Sequence, residues 1–541
     1  MSENAERELQ FGIDRLVTSG KRIFGWGWVA HPERAIAVIT LLSKGDGWER
    51  RLPVNFGLAR GDVDKAFPGL LNARSAGFVV TGYIPRYPVQ KLVLEIRFDG
   101  DARTELDITN VLEVRHTPQR KLYELLWLAR AVWRRLKRGD IHGLLSRARA
   151  QNYFAPPLDD LDIVGRLLPR LGTGRAVSVV FDHNMGGGAN QYRQALIDER
   201  LADGLAVLLC TYNLPTLDYR LTLIQPSGEE EIYRMTTFLS LEQILDSSLI
   251  EELFLNSPVS FDEPLHFAEW LATMRAKNPK VRLTVAVHDY FSVCPSFVLL
   301  NADGRYCGIP DLSECSACMR RHQASYVNLS PPTDIGPWRA IWGRCLHAAD
   351  EVRCFSVSTR QLLLRAYPNL DIDRISVIPH RVDYRPARLP KLDHAAPLVV
   401  GIIGQISVQK GAIVVKDMLA QSDRDYPDMR VVVIGNLDVA VKSERLRVTG
   451  TYQRRELVDL IEANGVNMFF FPSICPETFS YVIEEMILLG LPIVAFDLGA
   501  PGERLRSYNK SRLCGEVDAL AALATLIDFH KHLASEDASL A

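Results

Sequence analysis

Between Pro476 and Glu503 the chain reads PETFSYVIEEMILLGLPIVAFDLGAPGE, with seven residues separating Glu477 from Glu485. A helix opens between the two acids, and Gly490-Leu-Pro closes it ahead of an apolar strand. Glu477 is then expected in the loop and Glu485 about two turns into the helix, so that both face one ligand. Carboxylate oxygens accept hydrogen bonds from hydroxyl-rich groups such as ribose and hexose. The loop Thr478, Phe479 and Ser480, together with the helix N-terminus, offers backbone N–H groups and a partial positive charge suited to phosphate.

Three further stretches carry chemistry. In GIIGQISVQKGAIVV, Gly401 to Val415, a strand runs into a glycine and Lys410-Gly411 opens the next helix; taken alone, such a Lys-Gly is ordinary helix capping. In Asp182-His-Asn-Met-Gly186-Gly187-Gly188-Ala-Asn190, glycines without side chains let the backbone approach a substrate closely, or simply make a turn. Cys294, Cys307, Cys315 and Cys318 form C-x12-C-x7-C-x2-C. Four thiolates could hold a structural zinc, although the first spacings match no common finger; otherwise they are free thiols in a loop that shapes the cleft.

The elements that must position these residues fall into four parts. Residues 1–115 hold short β-branched and aromatic runs (IFGWGWV, IAVITLLS, AGFVVTGYI, KLVLEIRFDG) between Gly, Pro and Asp turns, which predicts a small β-sandwich-like accessory domain. GDVDKAFP is a short helix or a turn within it. Residues 116–155 form a basic linker in which Leu122, Leu125, Leu126, Ala129, Val132, Trp133 and Leu136 recur at helical spacing. Arg130, Arg134, Arg135, Lys137 and Arg138 crowd the rest of that helix. Such a surface suits an anionic membrane face, and equally a stripe packed on the catalytic domain. Residues 156–390 alternate strands and helices from VSVVFDH onward, and the rhythm restarts in 391–541 after RPARLPKLDHAAP. Two doubly wound domains then face each other across a cleft, where ligands of such sheets bind.

The composition is that of a globular chain, 47% hydrophobic and 24% charged with a formal net charge of -2, and nothing in it calls for nucleic acid. Nine cysteines and the absence of a secretory pattern at the N-terminus point to a cytoplasmic setting, peripheral on the inner membrane if the linker helix attaches there.

The stretch from Glu477 to Glu485, with its following G-x-P-x-V-A strand, resembles the E-x7-E motif of family 4 retaining glycosyltransferases of the GT-B fold. The resemblance runs from roughly Val177 to the C-terminus. It implies that Glu477 contacts the donor sugar and Glu485 the nucleotide ribose, with Lys410 at the donor diphosphate. Many members place an Arg directly after the strand-ending glycine; here Gln405 stands there. The loop of Gly186, Gly187, Gly188 and Asn190 resembles the one bordering acceptor and donor phosphates. His288 matches a His that reaches the donor sugar, and Pro379-His380-Arg381 the P-H-G loop between domains, with Arg381 in the place of Gly.

The implied activity moves a hexose or deoxyhexose from a nucleotide-diphosphate sugar to a glycan or lipid-linked acceptor, with retention. The family setting is bacterial surface polysaccharide synthesis: O-antigen, capsule or exopolysaccharide. No D-x-D pair stands beside the donor site, which fits catalysis without a metal or other cofactor. Two other classes compete. A non-catalytic glycan- or nucleotide-binding protein on the same scaffold would explain Gln405. A dinucleotide oxidoreductase needs a G-x-G-x-x-G fingerprint that the glycine loop lacks.

Overall fold

The computed structural model describes residues 9–113 and 167–540, apart from 20–21, 46–47, 59, 68, 72, 84–90, 100–101, 109–111, 168–169, 172–175, 236–237, 247–249 and 323–333. The basic linker helix expected within 116–155 lies outside the described residues.

The first domain contains β1 (Gln10–Ser19), β2 (Arg22–Ala30), β3 (Ile36–Gly45), β4 (Trp48–Leu58), α1 (Gly61–Ala66), β5 (Gly77–Tyr83), β6 (Lys91–Phe98), β7 (Arg103–Ile108) and β8 (Leu112–Glu113). GDVDKAFP therefore yields a helix. The strands join in one continuous sheet, β7-β6-β3-β4-β5-β2-β1-β8, antiparallel except where β8 joins β1. Leu16 and Ile23 from one end share a core with Leu41, Leu94 and Ile96 from the other. The sheet thus curls over a single apolar interior, sandwich-like in section without being split in two.

The second sheet carries β9 (Val177–His183), β10 (Ala206–Asn213), β11 (Asp218–Ile224), β12 (Glu230–Met235), β13 (Ile250–Leu255), β14 (Arg282–Ala286), β15 (Glu351–Cys354) and β16 (Ile375–Val377). Its helices are α2 (Gly188–Ala202), α3 (Phe238–Asp246), α4 (Pro264–Lys277), α5 (Leu312–Arg321), α6 (Ile335–Ala348) and α7 (Val357–Ala366). The order is β12-β11-β10-β9-β13-β14-β15-β16. β9, β10 and β13 to β16 pair in parallel. β11 and β12 form an antiparallel edge, because the Gln225–Glu229 turn is too short for a crossover. β9 is buried along its whole length. Val179 and Phe181 enter one core and Val180 the other, the period of two of a strand covered on both faces.

The third sheet comprises β17 (Val399–Ile406), β18 (Arg430–Leu437), β19 (Leu446–Val448), β20 (Met468–Phe471), β21 (Ile493–Phe496) and β22 (Ser511–Cys514). With it go α8 (Ala412–Asp425), α9 (Leu457–Ala463), α10 (Tyr481–Leu488), α11 (Gly499–Leu505) and α12 (Ala519–Leu540). All pairs are parallel, in the order β19-β18-β17-β20-β21-β22. Val400 and Ile402 pack with Met418 of α8 and Leu526 of α12, whereas Val399 and Ile403 pack with Ile461 of α9 and Met486 of α10. This is a doubly wound sheet whose strand order reverses between β17 and β20. In the second sheet the reversal lies between β9 and β13. The architecture is GT-B: two Rossmann-like domains across a cleft, preceded by the β domain.

Candidate functional site

The crevice between β17 and β20 opens where the chain leaves two neighbouring strands in opposite directions, the usual place for a ligand on such a sheet. Lys410 ends a short turn of 3-10 helix after β17. Gly411 follows with φ 85°, and any side chain there would strike the Pro472 carbonyl beyond β20. Only glycine permits this approach, which brings Lys410 Nζ to 3.8 Å from Glu477 Oε1. That carboxylate oxygen is buried and has no hydrogen-bond partner.

Ser480 caps α10 by accepting from the Ile483 N–H at 3.4 Å. The helix begins at Tyr481, so Glu485 lies little more than one turn inside it, not the two turns anticipated. Glu485 is buried and receives Arg454 Nη2 at 2.7 Å. Burial raises its pKa, and Arg454 opposes the rise by charge and hydrogen bond. Arg454 also lies over the Tyr384 ring, 5.7 Å from its centroid. Both Tyr384 and Tyr452 sense the Glu485 charge; burial above all pushes Tyr452 up to about 12. Arg454, Tyr384 and Tyr452 escaped the sequence reading, since no local spacing links them to Glu485. Gln405 donates to Asp438, at the end of β18, instead of reaching Glu477 or Lys410. Burial pushes Asp438 up to about 7, against the hydrogen bond from Gln405.

The opposite crevice, between β9 and β13, is built from rings and amide dipoles around one buried ion pair. Gly188 opens α2 and faces the Tyr481 ring, which a side chain at 188 would meet. Asn190 ties the loop together: its amide donates to Asp182 and to the His183 carbonyl, both at 2.8 Å, and its oxygen accepts from the Gly186 N–H at 2.7 Å. Buried Asp182 is paired with Arg193 at 3.0 Å. Asn256, after β13, donates to the Ala189 carbonyl, which leaves its oxygen to accept from His288 Nε2 at 2.8 Å. That bond fixes the proton on Nε2 and leaves the Nδ1 lone pair as the acceptor. Burial, with His380 and His183 nearby, holds the His288 imidazole well below its ordinary pKa, so it is neutral.

The two crevices meet. Thr478 Oγ1 donates to the His288 carbonyl at 2.8 Å, and Tyr481 bonds His380 Nδ1 at 2.8 Å. Phe479 stacks on His380 with ring centroids 4.5 Å apart. His288 stacks on Phe355 at 4.3 Å, and Tyr192 packs edge-on to His288. Burial drives His380 down to about 4. Arg381 is exposed. A cavity of about 540 Å³ adjoins this junction, lined in part by His380, Phe479, Ser480, Ile483 and Glu503. Glu477, Glu485 and Lys410 do not line it, so the charged crevice is a separate feature.

Cys294, Cys307, Cys315 and Cys318 are free thiols. Cys315 Sγ faces the Pro310 carbonyl and the Arg339 guanidinium, and among the described residues no group of three or more His, Cys, Asp or Glu could hold a metal. The four cysteines do not fit a zinc site. Among the described residues, no helix is long and apolar enough to cross a membrane.

Residues 397–528, which span the third sheet, match the family model of glycosyl transferases group 1. That match supports a glycosyltransferase. No curated protein matches the chain. Among solved structures, sucrose-phosphate synthase from Thermosynechococcus elongatus is similar at 15% identity over 65% of this chain and 89% of its own, with a TM-score of 0.42. The lipopolysaccharide outer core galactosyltransferase WaaB, in its apo form, is similar at 12% identity over 65% and 90%, with a TM-score of 0.41. Anabaena HepE in complex with UDP is similar at 15% identity over 67% and 100%, with a TM-score of 0.37. Scores below 0.5 add nothing about this chain beyond what its own topology shows.

Proposed function

We propose that the protein is a retaining glycosyltransferase of the family 4 type, which moves a hexose or deoxyhexose from a nucleotide-diphosphate sugar to a glycan or lipid-linked acceptor. The observation that carries this is the buried, unpartnered Glu477 oxygen beside Lys410 at the switch point of a glycosyl transferases group 1 domain. A carboxylate oxygen desolvated in this way is worth stabilising with a ligand hydroxyl. Lys410 supplies the cation for the donor diphosphate, and Thr478, Phe479 and Ser480 bring the start of α10 to it. Glu485 accepts from ribose hydroxyls. Arg454 fixes the position of that carboxylate.

Chemistry in this arrangement is positioning and charge stabilisation. The leaving phosphate takes the acceptor proton on the face from which it departs, which yields retention. His288 is neutral and offers Nδ1 to a sugar hydroxyl, while Asn256 holds the ring. The Gly186–Asn190 loop and the rings around His380 border the acceptor side, with Arg381 in the interdomain loop. The chain divides at 115, 155 and 390. We place the activity in bacterial surface polysaccharide synthesis, on the cytoplasmic face of the inner membrane.

The test is release of nucleoside diphosphate from a donor panel with glycan and lipid-linked acceptors, each product scored for anomeric configuration. Inverted product would refute the retaining mechanism. A second reading is a glycan- or nucleotide-binding protein without turnover. Its support is that Gln405, which stands where many family members place an Arg, is engaged by Asp438, and that Arg454 is held by Glu485, so Lys410 is left to meet a diphosphate. Donor binding without release of nucleoside diphosphate would select it.

A further inference from the structure

The N-terminal β domain touches both Rossmann-like domains. On one side Phe24 belongs to the core of the second sheet, with Trp26 and Val79 packed against it. On the other side two contacts reach the third sheet at the carboxyl ends of β18 and β19.

The first contact is Gly57, at the bulge that shifts the register between β4 and β5. Its φ of 97° belongs to glycine, and any side chain there would collide with the Asp438 carbonyl just beyond β18. Asp438 is the residue that receives Gln405. The second contact is Arg74, in the 3-10 turn Ala73–Ser75, whose Nη1 donates to the Val448 carbonyl at 3.0 Å. Its other nitrogen lies against Gly450, where a Cβ would meet it. From Gly450 the chain runs directly to Tyr452 and to Arg454, the partner of Glu485. Both contacts therefore end within a few residues of side chains that line the charged crevice, and neither touches the crevice itself.

We infer that the β domain is a brace for the donor half, with Gly57 and Arg74 as positioning residues that set two segments: the turn after β18 with Asp438, which receives Gln405 of β17, and the stretch carrying Tyr452 and Arg454. This inference rests on the donor-site reading above. It assigns the domain to the nucleotide side of the cleft. The geometric reason is that a loop free at its tip must be ordered on binding, and ordering it beforehand removes that cost. Arg74 supplies a charged donor to a carbonyl that ends a three-residue strand, where few ladder bonds hold the backbone.

The experiment uses the full chain with R74A, R74K and G57V. Calorimetry measures affinity for UDP, ADP, GDP and dTDP, steady-state kinetics separates donor KM from acceptor KM, and hydrogen exchange follows residues 438–454. R74A is expected to weaken nucleoside diphosphate binding about fivefold, the net worth of one exposed hydrogen bond. Donor KM should rise with it, while acceptor KM and kcat stay level and exchange at 449–454 quickens. R74K keeps a charged donor for the Val448 carbonyl and should recover part of the loss. G57V should act in the same direction and more strongly; if it fails to fold, the two Arg74 variants decide. Wild-type protein that binds none of the four nucleotides overturns the donor-site reading, and exchange at 449–454 then tests the brace alone. Wild-type protein that binds, beside R74A that binds equally well with unchanged exchange, overturns the brace. Faster exchange with unchanged affinity also overturns it, because the contact would then hold the loop without serving the site.

Discussion

The two Rossmann-like domains share a topology and differ in what they place at the point where strand order reverses. At β17/β20 the crevice is charged, with Lys410 facing Glu477 and Arg454 facing Glu485. At β9/β13 rings predominate: His288, uncharged and bonded to Asn256, sits among Tyr192, Phe355 and His380, with the Asp182–Arg193 ion pair beneath the glycine loop. Fold alone dictates neither. The same backbone geometry gathers loop residues in both places, and the side chains decide whether the crevice suits a polyanion or a sugar face. Burying Glu485 and the Glu477 oxygen costs desolvation that internal contacts only partly return, and ligand hydroxyls donating to them would return more.

The sharpest way to break this contrast is Glu477→Ala. If Glu477 holds the reacting sugar, its loss falls on the transition state, and kcat should drop by about 100-fold, as for loss of a key polar contact at a reacting centre. Donor affinity should change far less. A variant with wild-type kcat would move the reacting centre away from β20. Next in size is Glu485→Ala, which on the proposed reading removes charged hydrogen bonds to ribose and leaves Arg454 without its carboxylate. Nucleotide affinity is expected to fall by about 1–3 kcal/mol, read as Kd by calorimetry. An unchanged Kd would show that Arg454 occupies Glu485 so fully that no ligand uses it.

The legible part of this site was whatever repeats locally. Glu477 and Glu485 could be placed because the acids, the helix and the closing Gly490 lie within one short run, and the buried strands could be read because β9 and β17 are apolar on both faces. The two doubly wound domains followed from the restarted rhythm of strands and helices, and the GT-B arrangement from the resemblance carried by the Glu477–Glu485 stretch. Tyr384, Tyr452 and Arg454 were invisible because they reach Glu485 from separate loops. The grip of Arg74 on Val448 spans 374 residues of sequence, and no periodicity records such a contact. The zinc expectation failed for a related reason: C-x2-C states a spacing, while the fold turns Cys315 toward Pro310 and Arg339.

Asp438 offers a smaller test, by pH. Burial raises its folded pKa to about 7, well above the ordinary carboxylate range, so the native state holds a proton that the unfolded chain has lost. Stability should accordingly fall as pH rises from the unfolded value through 7, and level off above it. Between pH 6 and 8 the drop should be about 1 kcal/mol, on the order of one pKa unit. Denaturant melts of wild type and D438N at both pH values measure it. Equal slopes in the two proteins would mean that another group titrates.

The smallest expected effect concerns the joint between the two halves. Glu503, in α11 of the charged half, accepts from the Val357 and Ser358 N–H groups at 3.0 and 2.6 Å. These are the first residues of α7 in the opposite half, where unpaired donors and the helix dipole favour a negative charge. The contact is largely solvent-exposed, so screening limits its worth to about 0.5–1 kcal/mol. E503Q keeps one acceptor and removes the charge. It should leave nucleotide affinity unchanged, because Glu503 lies on the cavity side of α10, away from Glu485. What it should alter is the approach of the halves: a rise of about twofold to fivefold in acceptor KM, shrinking as salt is added. An effect on nucleotide Kd of the same size would mean that the two crevices are coupled through this joint, and the proposed division into a donor half and an acceptor half would have to be replaced by a single shared site.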